Sequence, residues 1–278
     1  PLLSSSCCYC KYVCQEIYMY PIRLLIAVLG MTIAPVILTP VASAQVRESP
    51  IEERSSGAAY FEEGLTRINR GDYRGAIDAF TEAIDAQPNL ASAYYNRAKA
   101  HTELGNYQRA LDDYTQTIEI EPKHAAAYIN RGNIRSALGE SEAAIEDFTE
   151  ALRLDPGDPD AYYNRAIDRT SLGDLEGAIE DYTQTIELAP NYIPAYLNRG
   201  VVQGSRGKHQ EAIADFTQIL RLDPNYAEAY GNRALAYVSL GNLDAAISDI
   251  ERAIELFDRQ GRAQDVQRAR EILRRLQN

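Results

Sequence analysis

Proline returns every 34 residues along this chain, at Pro88, Pro122, Pro156, Pro190 and Pro224. Tyr60, Tyr94, Tyr128, Tyr162, Tyr196 and Tyr230 keep the same step. So do Gly71, Gly105, Gly139, Gly173, Gly207 and Gly241, and the series Ala76, Ala110, Ala144, Ala178, Ala212 and Ala246. Four columns in one register over six units define an internal repeat. A repeat of this length restricts the chain to architectures in which each unit packs on its neighbours and none buries its apolar face alone.

Each unit reads as two helices. The first runs from about the tyrosine to the glycine, as in 91–104, and the glycine ends it because it tolerates the left-handed conformation at a helix end. The second runs to just before the proline, as in 107–121. Its apolar positions Ala110, Leu111, Tyr114 and Ile118 fall on one stripe at helical spacing. Proline closes the unit, since it cannot continue a helix and restrains the residue before it. Asn89, Asp158, Asn191 and Asn225 are placed to cap the next first helix.

The motif resembles the tetratricopeptide repeat. That family's order of aromatic, small, Gly, Ala, aromatic, Ala, Pro stands in unit one as Tyr60, Gly64, Gly71, Ala76, Phe80, Ala83 and Pro88. Tyr replaces the usual Trp, Thr117 and Thr185 replace the second alanine, Ile219 does so in unit five, and Asp258 stands where the last proline would be. The resemblance implies an all-α, right-handed superhelical solenoid of six helix-turn-helix units (57–90, 91–124, 125–158, 159–192, 193–226 and 227–260). Residues 261–278 read as a capping helix, with Val266, Ala269, Ile272, Leu273 and Leu276 on its apolar side and five arginines against Asp265 and Glu271. The expected repeat core is Tyr60, Gly64, Ala76, Phe80, Tyr94, Ala110, Tyr128, Ala144, Phe148, Tyr162, Ala178, Tyr196, Ala212, Phe216, Tyr230 and Ala246.

Two finer patterns run through the array. The eighth column alternates as Gly64, Ala98, Gly132, Ala166, Gly200 and Ala234, while the aromatic column reads Phe80, Tyr114, Phe148, Tyr182, Phe216 and Ile250. The heptapeptide at 113–119 returns at 181–187, so the duplicated unit is read as a pair of repeats, 68 residues long. Arg97, Arg131, Arg165, Arg199 and Arg233 share one column, and Asp113, Asp147, Asp181, Asp215 and Asp249 another. Unit one has Glu63 and Ala79 there, losing both partners together. This predicts an Arg–Asp contact inside each unit, linking its two helices.

No catalytic set is legible. His101, His124 and His209 occupy unrelated repeat positions, and no nucleophile-base arrangement or phosphate-binding glycine loop occurs. The carboxylates recur by repeat position, as on a solvated helical surface. The expectation is a protein that is not an enzyme and holds no cofactor or metal. The net charge of −12, from 28 basic and 40 acidic side chains, argues against nucleic acid, whose binders need a basic stripe.

The remaining function is a protein or peptide partner. In the resemblance, first helices line a concave groove through the second, fifth, sixth, ninth, twelfth and thirteenth residues of each unit. This maps the candidate peptide-binding residues to Tyr95, Asn96, Lys99, Ile129, Asn130, Asn133, Tyr163, Asn164, Asn198 and Asn232, with Thr102, Ser136, Thr170 and Ser171 deeper. The asparagine column reads equally as a ladder for a peptide backbone or as structural hydrogen bonds. The second position carries Ala58, Ser92, Ala126, Asp160, Pro194 and Glu228, with no lysine, which argues against the carboxylate clamp of chaperone-binding members. A neutral or basic peptide is expected.

The amino-terminal region reads as an address. Met19 is the better start. Arg23 gives a positive flank, Leu24 to Leu38 an uncharged run, and Ala42-Ser43-Ala44 a cleavage site before Gln45, so 19–44 is read as a signal peptide and 45–56 as a linker. The expected location is exported, whether periplasmic, lumenal or secreted, and the chain from Gln45 carries −13. The alternatives are a membrane-anchored adaptor held by residues 22–39 and a non-catalytic subunit of an envelope enzyme complex. Residues 1–18 read as a non-native upstream segment. Cys7, Cys8, Cys10 and Cys14 have spacings that suit zinc but lack a second ligand pair and a scaffold.

Overall fold

The computed structural model describes residues 50–277, with side chains from residue 56. The signal-peptide, cysteine and upstream-segment readings lie outside the described residues. The described residues form thirteen helices: α1 Pro50–Asn69, α2 Tyr73–Ala86, α3 Ala91–Glu103, α4 Tyr107–Ile120, α5 Ala125–Ala137, α6 Ser141–Leu154, α7 Pro159–Ser171, α8 Leu175–Leu188, α9 Ile193–Ser205, α10 His209–Leu222, α11 Ala227–Ser239, α12 Leu243–Arg259 and α13 Ala263–Gln277. Each helix packs on the next in sequence, and first helices of adjacent units also touch, α1 with α3, α5 with α7 and α9 with α11. The result is an all-α repeat solenoid. No described helix is long and apolar enough to cross a membrane.

The local chemistry explains the punctuation. Each inter-helix glycine has positive φ, as at Gly139 (81°), so a side chain there would be strained. Three second helices start on side-chain caps: Asp72 accepts from the Gly75 amide at 3.0 Å, Asp174 from Gly177 at 3.1 Å and Asn242 from Ala245 at 3.2 Å, whereas Asn106, Glu140 and Lys208 open theirs without a side-chain bond. Where Asp258 replaces proline, α12 continues for 17 residues instead of the 14 of α10. α13 then lays Val266 and Ala269 against unit six, with Ile272, Leu273 and Leu276 beside them.

Three expectations are corrected. Asn89, Asn191 and Asn225 do not cap; Leu90, Tyr192 and Tyr226 hold those cap positions without side-chain bonds. Asp158 stands one position later in its unit than the asparagines, and it does cap, accepting from Asp160 at 2.9 Å and Ala161 at 3.1 Å. His124 shares that position, and its Nδ1 accepts from the Ala127 amide at 3.2 Å. Residues 50–56, read as part of a linker, lie in α1.

The third correction is in the core. Tyr60 is exposed (37%). It belongs to the first unit, so no preceding helix pair among the described residues covers it. Tyr94, Tyr128, Tyr162 and Tyr230 are half-buried, whereas Tyr196 is buried. The glycines Gly64, Gly132 and Gly200 and the alanines Ala76, Ala110, Ala144, Ala178, Ala212 and Ala246 are buried, as are Phe80, Phe148 and Phe216.

The alternation of the eighth column has a packing cause. A Cβ on Gly132 would meet the Phe148 ring at 2.9 Å, and one on Gly200 the Phe216 ring at 2.8 Å. Phenylalanine in the odd units thus lies against bare backbone. In units two and four the facing pair is Ala98 with Tyr114 and Ala166 with Tyr182, each pair sharing one buried cluster.

Candidate peptide-binding face

Five arginines lock the frame on which the first-helix face is built. Arg97, Arg131, Arg165, Arg199 and Arg233 each grip the aspartate sixteen residues on, with closest contacts of 2.7 Å in every unit. Both carboxylate oxygens are engaged, as in Arg165 Nε to Asp181 at 2.8 Å and Nη2 at 2.7 Å. The aspartates are buried. Burial pushes the Asp215 carboxyl up, and its bonds and attraction to Arg199 pull it back.

A third contact was not legible beforehand. The remaining guanidinium nitrogen donates to a threonine of the preceding unit: Arg97 to Thr81 at 3.0 Å, Arg131 to Thr115 at 3.1 Å, Arg165 to Thr149 at 3.0 Å, Arg199 to Thr183 at 2.9 Å and Arg233 to Thr217 at 3.1 Å. Each arginine also lies over the tyrosine three residues before it, as Arg97 over Tyr94 at 5.5 Å. One side chain therefore ties two helices of its own unit and one of its neighbour. The threonine column sits sixteen residues before the arginines and was the available signal.

On this frame the expected groove residues come together in two like modules. Tyr95 is half-buried, tilted against His124 (4.7 Å) and edge-on to Tyr114 (5.8 Å). Its hydroxyl accepts from the Asn130 amide at 3.0 Å, and Lys99 Nζ lies 5.7 Å over its ring. Tyr163 repeats the arrangement, against Tyr192 (5.0 Å) and Tyr182 (5.9 Å), with Asn198 donating to its hydroxyl at 3.1 Å. Burial raises both phenols, partly offset by the asparagine bonds.

Asn164 donates to Asn133 Oδ1 at 2.9 Å, joining the sixth position of unit four to the ninth of unit three. Asn96 instead donates to the Ser92 carbonyl of its own helix at 2.7 Å. Ile129 and Asn232 are half-buried on the same face, while Lys99 and Asn133 are exposed. One amide hydrogen of Asn96, Asn130, Asn164 and Asn198 is thus bound within the protein, which fixes the orientation of these side chains. The charge at the second position is also engaged: Asp160 accepts from the Tyr192 hydroxyl at 3.0 Å and Glu228 pairs with Arg262.

The histidines do not converge: His101 lies inside α3, His124 caps α5 and His209 opens α10. No group of three or more His, Cys, Asp and Glu side chains among the described residues is placed to hold a metal ion.

Family models agree with this geometry. Tetratricopeptide-repeat models match residues 91–124, 125–158, 159–192 and 204–274, and a TPR-repeat model matches 64–105. No curated protein matches significantly. Among solved structures, the MamA protein is 27% identical over 63% of this chain and 95% of its own, with a TM-score of 0.59. YrrB, described as a TPR protein with an unusual peptide-binding site, is 25% identical over 70% of this chain and 99% of its own, with a TM-score of 0.63. A tetratricopeptide repeat protein from Parabacteroides merdae ATCC 43184, 20% identical over 81% of this chain and all of its own (TM-score 0.60), shares the fold. With the repeat models together matching 64–192 and 204–274, the chain belongs to the tetratricopeptide-repeat family.

Proposed function

We propose that this protein is an exported, non-catalytic scaffold that holds a peptide segment of a partner protein on the concave face lined by α3, α5, α7, α9 and α11. The observation that carries the reading is the paired module: Tyr95 and Tyr163 stand 68 residues apart, each buttressed by aromatic rings and by an asparagine of the next unit. A half-buried tyrosine offers apolar area with little rotamer entropy to lose, which is what an anchor site needs. YrrB, a relative in fold, carries a peptide-binding site by its description. The segment bound is neutral or basic, because the face holds little free charge and the chain from Gln45 carries −13.

Export rests on the leader-like run ending at Ala44. The partner is then itself exported or membrane-attached. Affinity capture from an envelope extract tests the binding, comparing the protein with a Tyr95→Ala, Asn130→Ala, Tyr163→Ala variant that retains its helicity. Loss of one partner from the variant alone supports the reading; equal capture places the site elsewhere. Amino-terminal sequencing of the mature protein tests export. A start at Gln45 supports a cleaved leader, and retention of residues 22–39 supports the anchored adaptor.

A further inference from the structure

Four of the five joints between repeat units are apolar. In each, the second-helix core of one unit meets two residues of the next first helix: Ala93 and Ala100, Ala127 and Ile134, Ala195 and Val202, Ala229 and Ala236. The joint between units three and four breaks the series. Where the others place Ala100, Ile134, Val202 and Ala236, it places Asp168, 2% exposed. Its Oδ1 accepts from Ser141 Oγ at 2.7 Å and Ser136 Oγ at 3.1 Å, and Ser171 Oγ lies 3.2 Å from Ser141 Oγ. Its Oδ2 is buried with no hydrogen-bond partner among the described residues.

Among the described residues no cation is paired with it. Arg131 and Arg135 of α5 are engaged by Asp147 of α6. Arg165 and Arg169 of α7 are engaged by Asp181 of α8, and Arg169 also lies 3.6 Å from Asp174. Glu140, which precedes Ser141, is exposed. An ionised carboxylate with one bare oxygen is costly in such a place, and a proton removes the charge. Burial accordingly pushes the Asp168 carboxyl above its ordinary value of 3.8, with Ser141 and Ser136 pulling the other way.

We propose that the joint between units three and four is proton-operated: protonated Asp168 lets α5–α6 and α7–α8 pack as one continuous array, and ionised Asp168 makes this joint the preferred place for the array to open. The Asn133–Asn164 bond crosses the same joint, so opening separates the Tyr95 module from the Tyr163 module. That last consequence rests on the peptide-binding reading; the joint itself does not.

Hydrogen exchange of the full chain across pH 4 to 8, corrected for intrinsic rates, reads the joint without any partner. The sign follows from linkage. The closed joint binds the proton more tightly than the open one, so opening increases as pH rises from the ordinary value towards the raised one and then levels off. Peptides of α5, α6 and α7 should show protection falling by up to ~10-fold per pH unit inside that window. Peptides of α3 at the Ala93–Ala100 joint and of α11 at the Ala229–Ala236 joint should stay level. Asp168→Val, matching Val202, and Asp168→Asn, nearly isosteric, should both flatten the response; the second serves if the first misfolds. A level wild-type profile, the same slope at all joints, or a slope surviving in a folded variant would overturn the proposal.

Discussion

The Asn130 amide of unit three donates to the Tyr95 hydroxyl of unit two at 3.0 Å, and Asn198 does the same to Tyr163 two units later at 3.1 Å. These bonds tie neighbouring first helices at the candidate binding face. Tyr95→Phe removes the acceptor and keeps the ring. It should cost about 1 kcal/mol, with Tyr95→Phe and Asn130→Ala non-additive in a double-mutant cycle by denaturant unfolding. Additive effects would mean that the bond contributes nothing.

The arginine ladder predicts unequal rungs. Among the described residues Asp113 is ion-paired with Arg97 alone, whereas Asp147 keeps Arg135 if Arg131 is removed. Arg97→Ala should destabilise by about 3–5 kcal/mol, the usual penalty for stranding a buried charge. Arg131→Ala should cost clearly less. Thermal and urea unfolding of the two variants compares them directly, and equal losses would show that the second arginine does not compensate.

Glycines on the first helices should respond oppositely to alanine. A Cβ on Gly132 meets the Phe148 ring at 2.9 Å, while at Gly231 nothing lies within 4 Å. Gly132→Ala should destabilise by about 1–3 kcal/mol through overpacking. Gly231→Ala, inside α11, should stabilise by about 0.5–1 kcal/mol through reduced chain entropy. Unfolding midpoints decide the signs.

His101 is buried, and burial holds its imidazole below the ordinary 6.5, with Asp113 acting upward and Arg97 and Arg109 downward. A depressed histidine contributes stability that is present above 6.5 and lost as pH falls through the folded-state value. The wild-type melting temperature should therefore fall on acidification below 6.5 more than that of His101→Gln, which carries the residue of the Gln203 position. Parallel curves would remove His101 from the acid response.

What repeats was readable. The helix pairs, the glycine turns and the Arg–Asp contacts each recur with the 34-residue step, so chance agreement at one position is filtered by the other units that share it. What depends on one residue's place was not. The three asparagines sit one position before the cap residues Leu90, Tyr192 and Tyr226. Tyr60 shares its column with buried and half-buried tyrosines but has no preceding unit among the described residues. The asparagine bonds run between units, at separations of 31 and 35 residues that no single-unit pattern displays. Asp168 was detectable as the one carboxylate in a column otherwise filled by Thr66, Ala100, Ile134, Val202 and Ala236. It announces itself by breaking the pattern, and a search for periodicity passes over such a residue.

Site-specific photo-crosslinking tests the peptide-binding face most directly. A photoreactive residue is placed at Asn133, exposed on α5 between the two tyrosine modules, or at Asp112, exposed on the second helix α4. The account predicts that the captured partner crosslinks from position 133, that the crosslink weakens with Tyr95→Ala and Tyr163→Ala, and that position 112 yields none. A crosslink from position 112 with none from position 133 would contradict it.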